Sequence, residues 1–520
     1  MYVRSPSAFP SSVAFGAGPY DARILVVSDL HDNLRNIAKT KTVMDTLTDE
    51  AGEKNQRVYR IHCGDISAHG NPENWNLAVL LMKQFRFQAN IIGNHETRIP
   101  VRDFVDGLLA HVGRSLGRGF YLASNLKKPV SDYYQKLLDR NLVQTDSLVV
   151  DRGPAKFGFI SALGNSKNPR AHSLPLDNKA TCEKIQKEAA RLKKEEKVDV
   201  VVLVSHRGYS WDVDFAKQPA AENIDVIVGG RSHMATQEIE EGKTLFTKPN
   251  GKQILVTNAS AYGRHVGVLD LRVDESGRII FKRLEMKPTE GVERDTTIQA
   301  LIRKFKGMDS LLPLYRVKAG YYKEDYLDQL HFMADLMKQK VNADVGMVSS
   351  DVIRWPLRKN VTPVDLDGAF SENQPVVKVE MTGETLLSIL VENTQYMQSP
   401  APTGLKFFAG ITYNIDPSTG AHHASANNIM LNGNPIDLKK TYTVATTEPL
   451  ARYKLVSGVH RPAGFRVLDS EPGQSTETPR QLMEAALSEM QNKTNKTQPV
   501  KIPSLPDAMS WLYGLQAHKF

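Results

Sequence analysis

The sequence predicts a layered α/β domain followed by a second domain of α+β type. Over roughly the first 300 residues, short apolar runs of β-strand character alternate with longer segments of helical periodicity. From about Ala343 onward, strand and helix patterns follow one another without that regular alternation. A chain of 520 residues is too long for one ordinary hydrophobic core, so two domains of unequal size are expected.

The composition is that of an ordinary globular protein, with 41% hydrophobic and 24% charged residues. No apolar run reaches the ~18 residues of a membrane-spanning helix, so no membrane span is expected. The net charge of +8 favours anionic partners, but Lys and Arg are dispersed or mixed with acids, so nucleic-acid binding is not expected. Two cysteines, Cys63 and Cys182, exclude a disulfide framework. The N-terminus lacks the continuous apolar segment of a secretion signal, which favours the cytoplasm without excluding secretion.

The first domain is predicted to contain a buried sheet with helices between its strands. Its strand candidates are apolar and rich in β-branched residues: Ile24–Ser28, Val58–His62, Ala89–Ile92, Phe157–Ile160, Val198–Val204 and Ile224–Val228. The helical candidates between them are Asn33–Leu47, Trp75–Phe85 and Lys179–Lys197. The segment Gln253–Leu284 is strand-like and rich in turns, which indicates a mixed sheet.

Helical patterns separate this domain from the C-terminal region. They cover Thr297–Phe305 and Glu324–Lys340, and the strand candidates that follow are Val376–Met381, Ile411–Ile415 and Thr441–Ala445. We therefore divide the chain into a leader (1–22), a first domain (23–295), a helical linker (296–342), a second domain (343–500) and a C-terminal tail (501–520).

Polar residues suited to metal binding follow the strand candidates of the first domain. They occur in five short segments: Asp29-Leu30-His31, Gly64-Asp65, Gly93-Asn94-His95-Glu96, Ser205-His206 and Gly230-Arg231-Ser232-His233. Because the carboxyl ends of strands in open α/β sheets gather ligand-binding residues, we expect these segments to converge. Carboxylates, imidazoles and an amide oxygen are the ligands that binuclear hydrolases use for divalent ions. The pattern therefore predicts a two-metal phosphoesterase site.

The positions of residues in the first two segments suggest which ions they would bind. Asp29 and His31, two residues apart, can converge on one ion once the strand opens into a loop. Asp65 follows a glycine at the end of the next strand and is placed to bridge two ions.

The later segments complete the predicted set. Asn94 can contribute a carbonyl oxygen to the second ion, while the neighbouring His95 can remain free of metal and face the substrate. His206 ends a very apolar strand, and His233 follows another. A single such residue is more often structural than functional, so the prediction depends on their joint occurrence.

In this order the motifs resemble the calcineurin-like metallophosphoesterases, and specifically their two-domain 5′-nucleotidase branch. The segments that carry the resemblance are Ser28–His31, His62–Asp65, Gly93–Glu96, Ser205–His206, Gly229–His233, Thr257–Leu271, Ser349–Arg354 and Gly368–Gly383. The resemblance implies a four-layer α/β/β/α metallophosphoesterase domain, followed by an α+β domain of the 5′-nucleotidase C-terminal type.

The resemblance also implies roles for individual residues. Two groups of ligands would hold the ions. The first metal would be held by Asp29, His31, Asp65 and His233, and the second by Asp65, Asn94 and His206. One or two divalent ions are implied, and the motifs do not distinguish zinc, manganese, cobalt and magnesium. Metal-activated water would attack phosphorus in line, and His95 would stabilise the transition state and assist the leaving oxygen. Arg354 and Phe370 resemble the arginine and the first aromatic residue of the family's nucleoside-binding surface.

Arg231 departs from the family pattern, because it stands where the family has a histidine ligand of the second metal. A guanidinium has no lone pair to give to a cation and stays charged, so it should repel the second ion. It could instead bind a phosphate through two parallel hydrogen bonds, which makes Arg231 a candidate substrate-binding residue. A one-metal enzyme or a metal-poor phosphate binder is therefore an alternative to the binuclear site.

Two further departures concern His95 and the nucleoside clamp. Thr97-Arg98 replaces a Phe-Asp pair whose aspartate orients the catalytic imidazole in the family; Arg98 would act in the opposite sense, and Asp103 is a candidate substitute. The family's second aromatic residue and its Gly-Gly-Asp-Gly turn have no counterpart after the strand Tyr442–Thr446. Base stacking by paired aromatic rings is therefore not supported.

The sequence leaves two functional hypotheses. The first is a metal-dependent phosphomonoester hydrolase of the 5′-nucleotidase type, acting on a nucleotide or another small phosphorylated compound. The second is a catalytically inactive 5′-nucleotidase-like protein with a binding or structural role, for which a protein partner is plausible. The ordered metal-ligand motifs favour the first, and the joint occurrence of Arg231, Arg98 and the incomplete clamp favours the second.

Overall fold

The structure is a computed structural model that describes most of the chain. The described residues are 19–68, 72–112, 120–127, 130–164, 180–275, 277–317, 322–370, 375–397, 405–416, 425–451, 466–467, 477–493 and 499–502. Most of the predicted leader and tail lie outside these ranges. The chain divides into two compact units, and the main break between them falls between Leu301 and Ile302.

Strands are numbered in chain order. In the first unit they are β1 (Tyr20–Val27), β2 (Arg57–His62), β3 (Ala89–Asn90), β4 (Tyr121–Leu122), β5 (Val143–Gln144), β6 (Leu148–Arg152), β7 (Ala155–Ala162), β8 (Val200–Ser205), β9 (Val226–Gly229), β10 (Leu245–Thr247), β11 (Gln253–Asn258), β12 (His265–Val273) and β13 (Ile279–Pro288). In the second unit they are β14 (Tyr315–Val317), β15 (Val345–Ser349), β16 (Lys359–Val361), β17 (Val376–Thr382), β18 (Lys406–Ala409), β19 (Ile411–Asp416), β20 (Ser425–Leu431), β21 (Asn434–Pro435), β22 (Thr441–Thr447) and β23 (Arg466–Val467).

Helices are numbered in the same way. They are α1 (Leu34–Glu53), α2 (Pro72–Phe85), α3 (Val101–Val112), α4 (Asp132–Asp139), α5 (Thr181–Lys194), α6 (Tyr209–Ala216), α7 (Thr296–Lys306), α8 (Tyr322–Lys340), α9 (Pro363–Ala369), α10 (Gly383–Met397) and α11 (Pro479–Lys493). Short 3₁₀ helices occupy Glu96–Arg98, Pro219–Ala221 and Met308–Leu311.

Two mixed sheets form the centre of the first unit. The first has the strand order β13-β12-β1-β2-β3, with β1, β2 and β3 parallel and β12 antiparallel to β1. The second has the order β10-β11-β9-β8-β7-β6, in which β7, β8, β9 and β11 are parallel and the edge strands run the other way. The antiparallel pairs confirm the mixed sheet that the turn-rich segment Gln253–Leu284 predicted.

The two sheets pack face to face and carry helices on their outer sides. Tyr59 of β2 stacks on Phe157 of β7 with ring centroids 4.0 Å apart. On the first sheet, the buried Arg23 of β1 donates a hydrogen bond of 3.0 Å to the carbonyl of Leu47 in α1. On the second sheet, α5 and α6 bury side chains such as Ile185 and Phe215 against the strands. These layers are the expected α/β/β/α arrangement.

The second unit is built on a five-stranded sheet with the order β18-β15-β22-β17-β23. Helix α8 lies close to β15, since a β-carbon placed on Gly346 would be 1.9 Å from the carbonyl oxygen of Ala334. A separate antiparallel sheet, β19-β20-β21, and the pair β14-β16 complete the described strands. The mixture of antiparallel strands and helices confirms the predicted α+β class of this region.

Candidate metal centre

The residues predicted to bind metal lie where strands of the two facing sheets end. In the first sheet they follow β1, β2 and β3, and in the second they follow β8 and β9. The strands within each of these sets are parallel, so their carboxyl ends meet at one edge of each sheet. The structure brings together all seven residues predicted for the metal centre, which are Asp29, His31, Asp65, Asn94, His95, His206 and His233.

Several of these residues have left-handed backbone conformations. Asp29, His31, Asp65 and His233 have φ angles of 51°, 49°, 59° and 56°. Such angles cost free energy in residues with a β-carbon and persist where surrounding contacts impose them. Here the loops after β1 and β2 are linked by hydrogen bonds from Asp29 N to Gly64 O and from His31 N to Asp65 O, each 3.0 Å long.

The first group of ligand atoms surrounds the Nε2 atom of His31. This atom is 3.0 Å from His233 Nε2, 3.7 Å from Asp29 Oδ1 and 3.9 Å from Asp65 Oδ2. His233 Nε2 is in turn 3.5 Å from Asp29 Oδ1. Ligands of one tetrahedral zinc ion, bound at ~2.0–2.2 Å, are separated by about 3–4 Å, so the spacing fits a shared ion. Two imidazoles and two carboxylates also suit manganese and cobalt.

The second group surrounds the Nε2 atom of His206. This atom is 3.2 Å from Asp65 Oδ2 and 3.1 Å from Asn94 Oδ1. Asp65 therefore takes part in both groups, as the predicted bridging ligand should. The buried donor atoms fit a divalent ion, but this group contributes three protein ligands where the family motif would contribute four.

Asp65 and His206 stabilise each other's charged forms. Burial lowers the pKa of His206, but the Asp65 carboxylate outweighs that effect and raises it to about 9. Burial alone would raise the pKa of Asp65, yet the neighbouring His206, His95 and His31 imidazoles hold it well below its usual range. His206 Nδ1 is 2.6 Å from the carbonyl oxygen of Cys63, to which it donates. The imidazole is thereby fixed with Nε2 directed at Asp65 and Asn94.

Glu96 connects the loop after β2 to the loop after β3 through its buried side chain. One carboxylate oxygen accepts hydrogen bonds from Asp65 N at 2.9 Å and Gly93 N at 2.7 Å, and the other accepts from Ser67 N at 3.0 Å. Burial and the charge of Asp65 raise the pKa of Glu96 to about 8. The loop after β3 can lie this close to Asp65 because Gly93 has no side chain. A β-carbon on Gly93 would lie 2.1 Å from Asp65 Oδ1.

His95 faces the same cluster, and ligand atoms of His95, His31 and Asp65 lie within 4.8 Å of one another. Its Nε2 is 4.0 Å from Asp65 Oδ2, and its ring contacts that of His31 edge-on at 4.6 Å. Its Nδ1 lies 3.1 Å from the carbonyl oxygen of Ala68. This carbonyl can orient the imidazole in place of the family's aspartate, by accepting a hydrogen bond from Nδ1–H.

Arg231 is anchored to the centre by its backbone, and its side chain lies near Gly164 and the backbone of His206. Its N–H contacts both oxygens of Asp29, at 3.1 and 2.9 Å. Its Nη1 lies 2.9 Å from the point that a β-carbon on Gly164 would occupy, and the carbonyl oxygen of His206 is 2.8 Å from the same point. The guanidinium therefore lies beside the second-ion ligand His206, at the carboxyl ends of β7 and β8.

Tyr262 also belongs to the centre, although no motif predicted a role for it. Its ring lies 5.5 Å from that of His31 and 5.1 Å from that of His233, and its N–H donates to the carbonyl oxygen of Asp29 at 2.7 Å. Its φ is 59°, in the turn before β12. The only sequence signal was its place in the strand-turn-strand segment Thr257–Leu271.

The two residues predicted to bind a nucleoside lie in the second unit. Arg354 N donates to the carbonyl oxygen of Ala369 at 2.6 Å, and Ile353 pairs with Phe370 in an antiparallel bridge. Phe370 is 3% exposed and Arg354 9% exposed. The structure thus places the two residues near each other, and their roles stay predictions.

Comparison with known protein families matches both parts of the chain. A model described as calcineurin-like phosphoesterase matches residues 22–235, and one described as 5′-nucleotidase, C-terminal domain, matches residues 321–453. An apyrase from Tabanus yao is 27% identical over 220 residues, which cover 40% of this chain and 37% of the apyrase. This chain therefore aligns with well under half the length of that relative.

Solved structures share the architecture over nearly the whole chain. A 5′-nucleotidase precursor from Thermus thermophilus has a TM-score of 0.69 at 17% identity, covering 94% of this chain and 98% of that one. The sulfate thiohydrolase SoxB of the same organism has a TM-score of 0.68 at 14% identity, covering 96% and 97%. At these identities the likeness shows the fold alone. Among the described helices, none is both long and apolar enough to span a membrane.

Proposed function

Since this chain joins a calcineurin-like phosphoesterase domain to a 5′-nucleotidase C-terminal domain, we propose that it is a metal-dependent phosphomonoester hydrolase of the 5′-nucleotidase type. The observation that carries the proposal is the pair of ligand groups sharing Asp65, in which the closest donor atoms are 3.0–3.9 Å apart. Such an arrangement of hard and imidazole ligands is suited to holding divalent ions close to a phosphoryl group.

Six side chains would hold the ions in this proposal. By the distances between their ligand atoms, Asp29, His31, Asp65 and His233 form the first group, and Asp65, Asn94 and His206 form the second. When bound, divalent ions would polarise the phosphoryl oxygens and lower the pKa of water. His206 would ligate an ion through a neutral Nε2, whereas the neighbouring Asp65 favours the protonated imidazole in the metal-free protein.

His95 is the residue that this proposal assigns to proton transfer. The Ala68 carbonyl next to Nδ1 leaves Nε2 directed into the cluster, where it can hold a proton for the leaving oxygen. The backbone N–H of His95 donates to Asp65 Oδ1 at 2.7 Å, so the position of His95 depends on that of the shared ligand. Arg231 is assigned to the phosphoryl group, and Arg354 and Phe370 of the second unit are assigned to substrate binding.

The domain combination supports a small phosphorylated compound as the substrate. Nucleotidase relatives act on small phosphorylated compounds, and the 5′-nucleotidase name of the structural neighbour favours a nucleotide. We extend this to other small phosphomonoesters, because the second aromatic residue of the family's clamp has no counterpart in the sequence.

The test is phosphate release from p-nitrophenyl phosphate and a panel of nucleoside mono-, di- and triphosphates. Protein freed of metal would be loaded separately with manganese, zinc, cobalt or magnesium. We expect turnover that requires an ion, and a loss of kcat of about 10²–10⁴-fold in His95→Asn with unchanged metal content. His111→Asn, in α3 outside the ligand groups, is the matched control. Bound ions without turnover on any of these substrates would contradict the proposal.

A catalytically inactive, ligand-binding protein is the second candidate. It is favoured by Arg231, which removes an ion ligand, and by Arg98, which stands where the family has an acid. The same assay separates the two, since this candidate predicts no metal-dependent turnover in the wild-type protein.

A further inference from the structure

We propose that Asp32 is a positioning residue for His95 and acts through the backbone of Ala68. Its carboxylate holds the segment whose carbonyl oxygen faces the His95 imidazole, and so determines which ring nitrogen carries the proton. The inference rests on the proposed function and deepens it, because proton transfer by His95 requires one fixed orientation of its ring. All three residues belong to the first unit.

Asp32 contacts the loop after β2 at two points. Its Oδ2 accepts a hydrogen bond of 2.8 Å from Ala68 N, and its own N–H donates to the carbonyl oxygen of Ile66, also at 2.8 Å. Asp32 is 6% exposed and has a φ of 58°, a conformation that persists in a residue with a β-carbon where contacts impose it. One residue of the loop after β1 therefore holds both Ile66 and Ala68 in place.

The segment that Asp32 holds carries the atom that faces His95. The carbonyl oxygen of Ala68 lies 3.1 Å from His95 Nδ1, within hydrogen-bond distance. This carbonyl and the N–H that Asp32 binds flank the same α-carbon, so a hydrogen bond to the N–H restricts the position of the carbonyl. A carbonyl oxygen can only accept a hydrogen bond, so the contact requires a proton on Nδ1. Nε2 is then the nitrogen that faces the ion ligands.

The backbone around His95 is held by contacts that do not involve Asp32. His95 N donates to Asp65 Oδ1 at 2.7 Å, and the neighbouring Glu96 accepts a hydrogen bond of 3.0 Å from Ser67 N. When Asp32 is changed, the loop after β3 should therefore keep its place, whereas the acceptor of the imidazole loses its support. Substitution of Asp32 should alter the orientation of the His95 ring more than the position of its backbone.

The first experiment identifies the protonated ring nitrogen of His95 by ¹⁵N NMR of metal-free, full-length protein labelled in histidine. Spectra are recorded at about pH 9, above the ordinary histidine pKa of ~6.5, and comparison with His95→Asn identifies the His95 signals. We expect the Nδ1–H form in wild type and in Asp32→Asn, whose amide oxygen can still accept from Ala68 N. In Asp32→Ala we expect a mixture of the two neutral forms. Asp49→Ala, at an exposed position of α1, should match wild type.

The second experiment measures kcat, KM and metal content in the same variants, with p-nitrophenyl phosphate as the substrate. In Asp32→Ala we expect kcat to fall about tenfold or more, with KM and metal content unchanged. The same substitution should have little effect when His95 is already Asn, because the two residues would act as one unit. Asp32→Asn should recover most of the loss. A fall of equal size in both backgrounds, or one that follows a loss of bound metal, would overturn the inference.

The two experiments separate this inference from the proposed function. A wild-type His95 without the Nδ1–H form would overturn the inference, and so would an Nδ1–H form that persists in folded Asp32→Ala, even in an active hydrolase. A protein without turnover would contradict the proposed function, while the NMR spectra would still test the role of Asp32. Thermal melting of each variant checks that it is folded.

Discussion

The Asp65 carboxylate lies 3.2 Å from the His206 imidazole, measured from Oδ2 to Nε2. The same oxygen is 3.9 Å from His31 Nε2 in the other ligand group. Asp65 therefore links the two ligand groups, and its contact with His206 joins a residue that follows a strand of the first sheet to one that follows a strand of the second. We therefore expect substitutions that destabilise the loop after β2, which carries Asp65, also to reduce the binding of metal ions.

Glu96 is expected to be essential both for the stability of the protein and for its metal content. In Glu96→Ala three backbone N–H groups, those of Asp65, Ser67 and Gly93, lose their carboxylate acceptor. Each buried donor left without an acceptor costs about 1–3 kcal/mol, so the melting temperature should fall markedly and metal content should fall with it. Thermal melting and elemental analysis would measure both. Glu53→Ala, at an exposed position of α1, should change neither; equal effects of the two substitutions would contradict the role of Glu96.

Asp212 should make the stability of the metal-free protein fall as the pH rises. It is fully buried on α6, and burial raises its pKa to about 7, against an ordinary value near 3.9 in the unfolded chain. The folded state therefore binds more protons between about pH 4 and pH 7, so stability is lost across that window and not regained above it.

The substitution Asp212→Asn should remove this loss. We expect the variant to gain stability relative to wild type between pH 5 and pH 8, by at most about 4 kcal/mol. Chemical unfolding of metal-free protein at the two pH values measures the difference. Asp214→Asn, an exposed acid of the same helix, is the control. A gain of the same size at pH 5 and pH 8 would show that Asp212 is not the titrating group.

Arg231→His should increase the capacity for divalent ions. The substitution would return an imidazole to the position where the family has one and remove a positive charge from beside His206. Because the second group otherwise has three protein ligands, we expect bound metal to rise from about one ion per chain toward two. Elemental analysis after equilibration with manganese or zinc measures this, with Arg231→Gln separating loss of charge from gain of a ligand. Unchanged metal content in Arg231→His would mean that Arg231 does not limit the second ion.

The convergence of the predicted residues could be anticipated from the sequence, because they follow strands that run parallel to one another. Asp29, Asp65 and His206 each follow an apolar run, and strand ends in α/β sheets converge irrespective of the details of the loops. The families matched by the chain confirm the resemblance that these motifs carried. The domain limits and the individual residue roles stay predictions.

Other features depended on local geometry that a sequence does not display. The left-handed φ of Asp29 occurs in a residue that has a β-carbon, so no glycine marked it. Tyr262 reaches His31 only because β12 pairs with β1, a contact between segments more than 200 residues apart. The space that the Arg231 side chain occupies depends on Gly164, which follows the end of a different strand, β7.

The most direct test of the central claim is phosphate release and metal content in Asp65→Asn beside wild type. Asparagine keeps the size of the side chain but removes the negative charge shared by both ligand groups. We expect bound metal to fall by at least half and ion-dependent hydrolysis to fall by about 10²-fold or more, while Asp214→Asn, at an exposed position of α6, behaves as wild type. Full metal content and full turnover in folded Asp65→Asn would contradict the account.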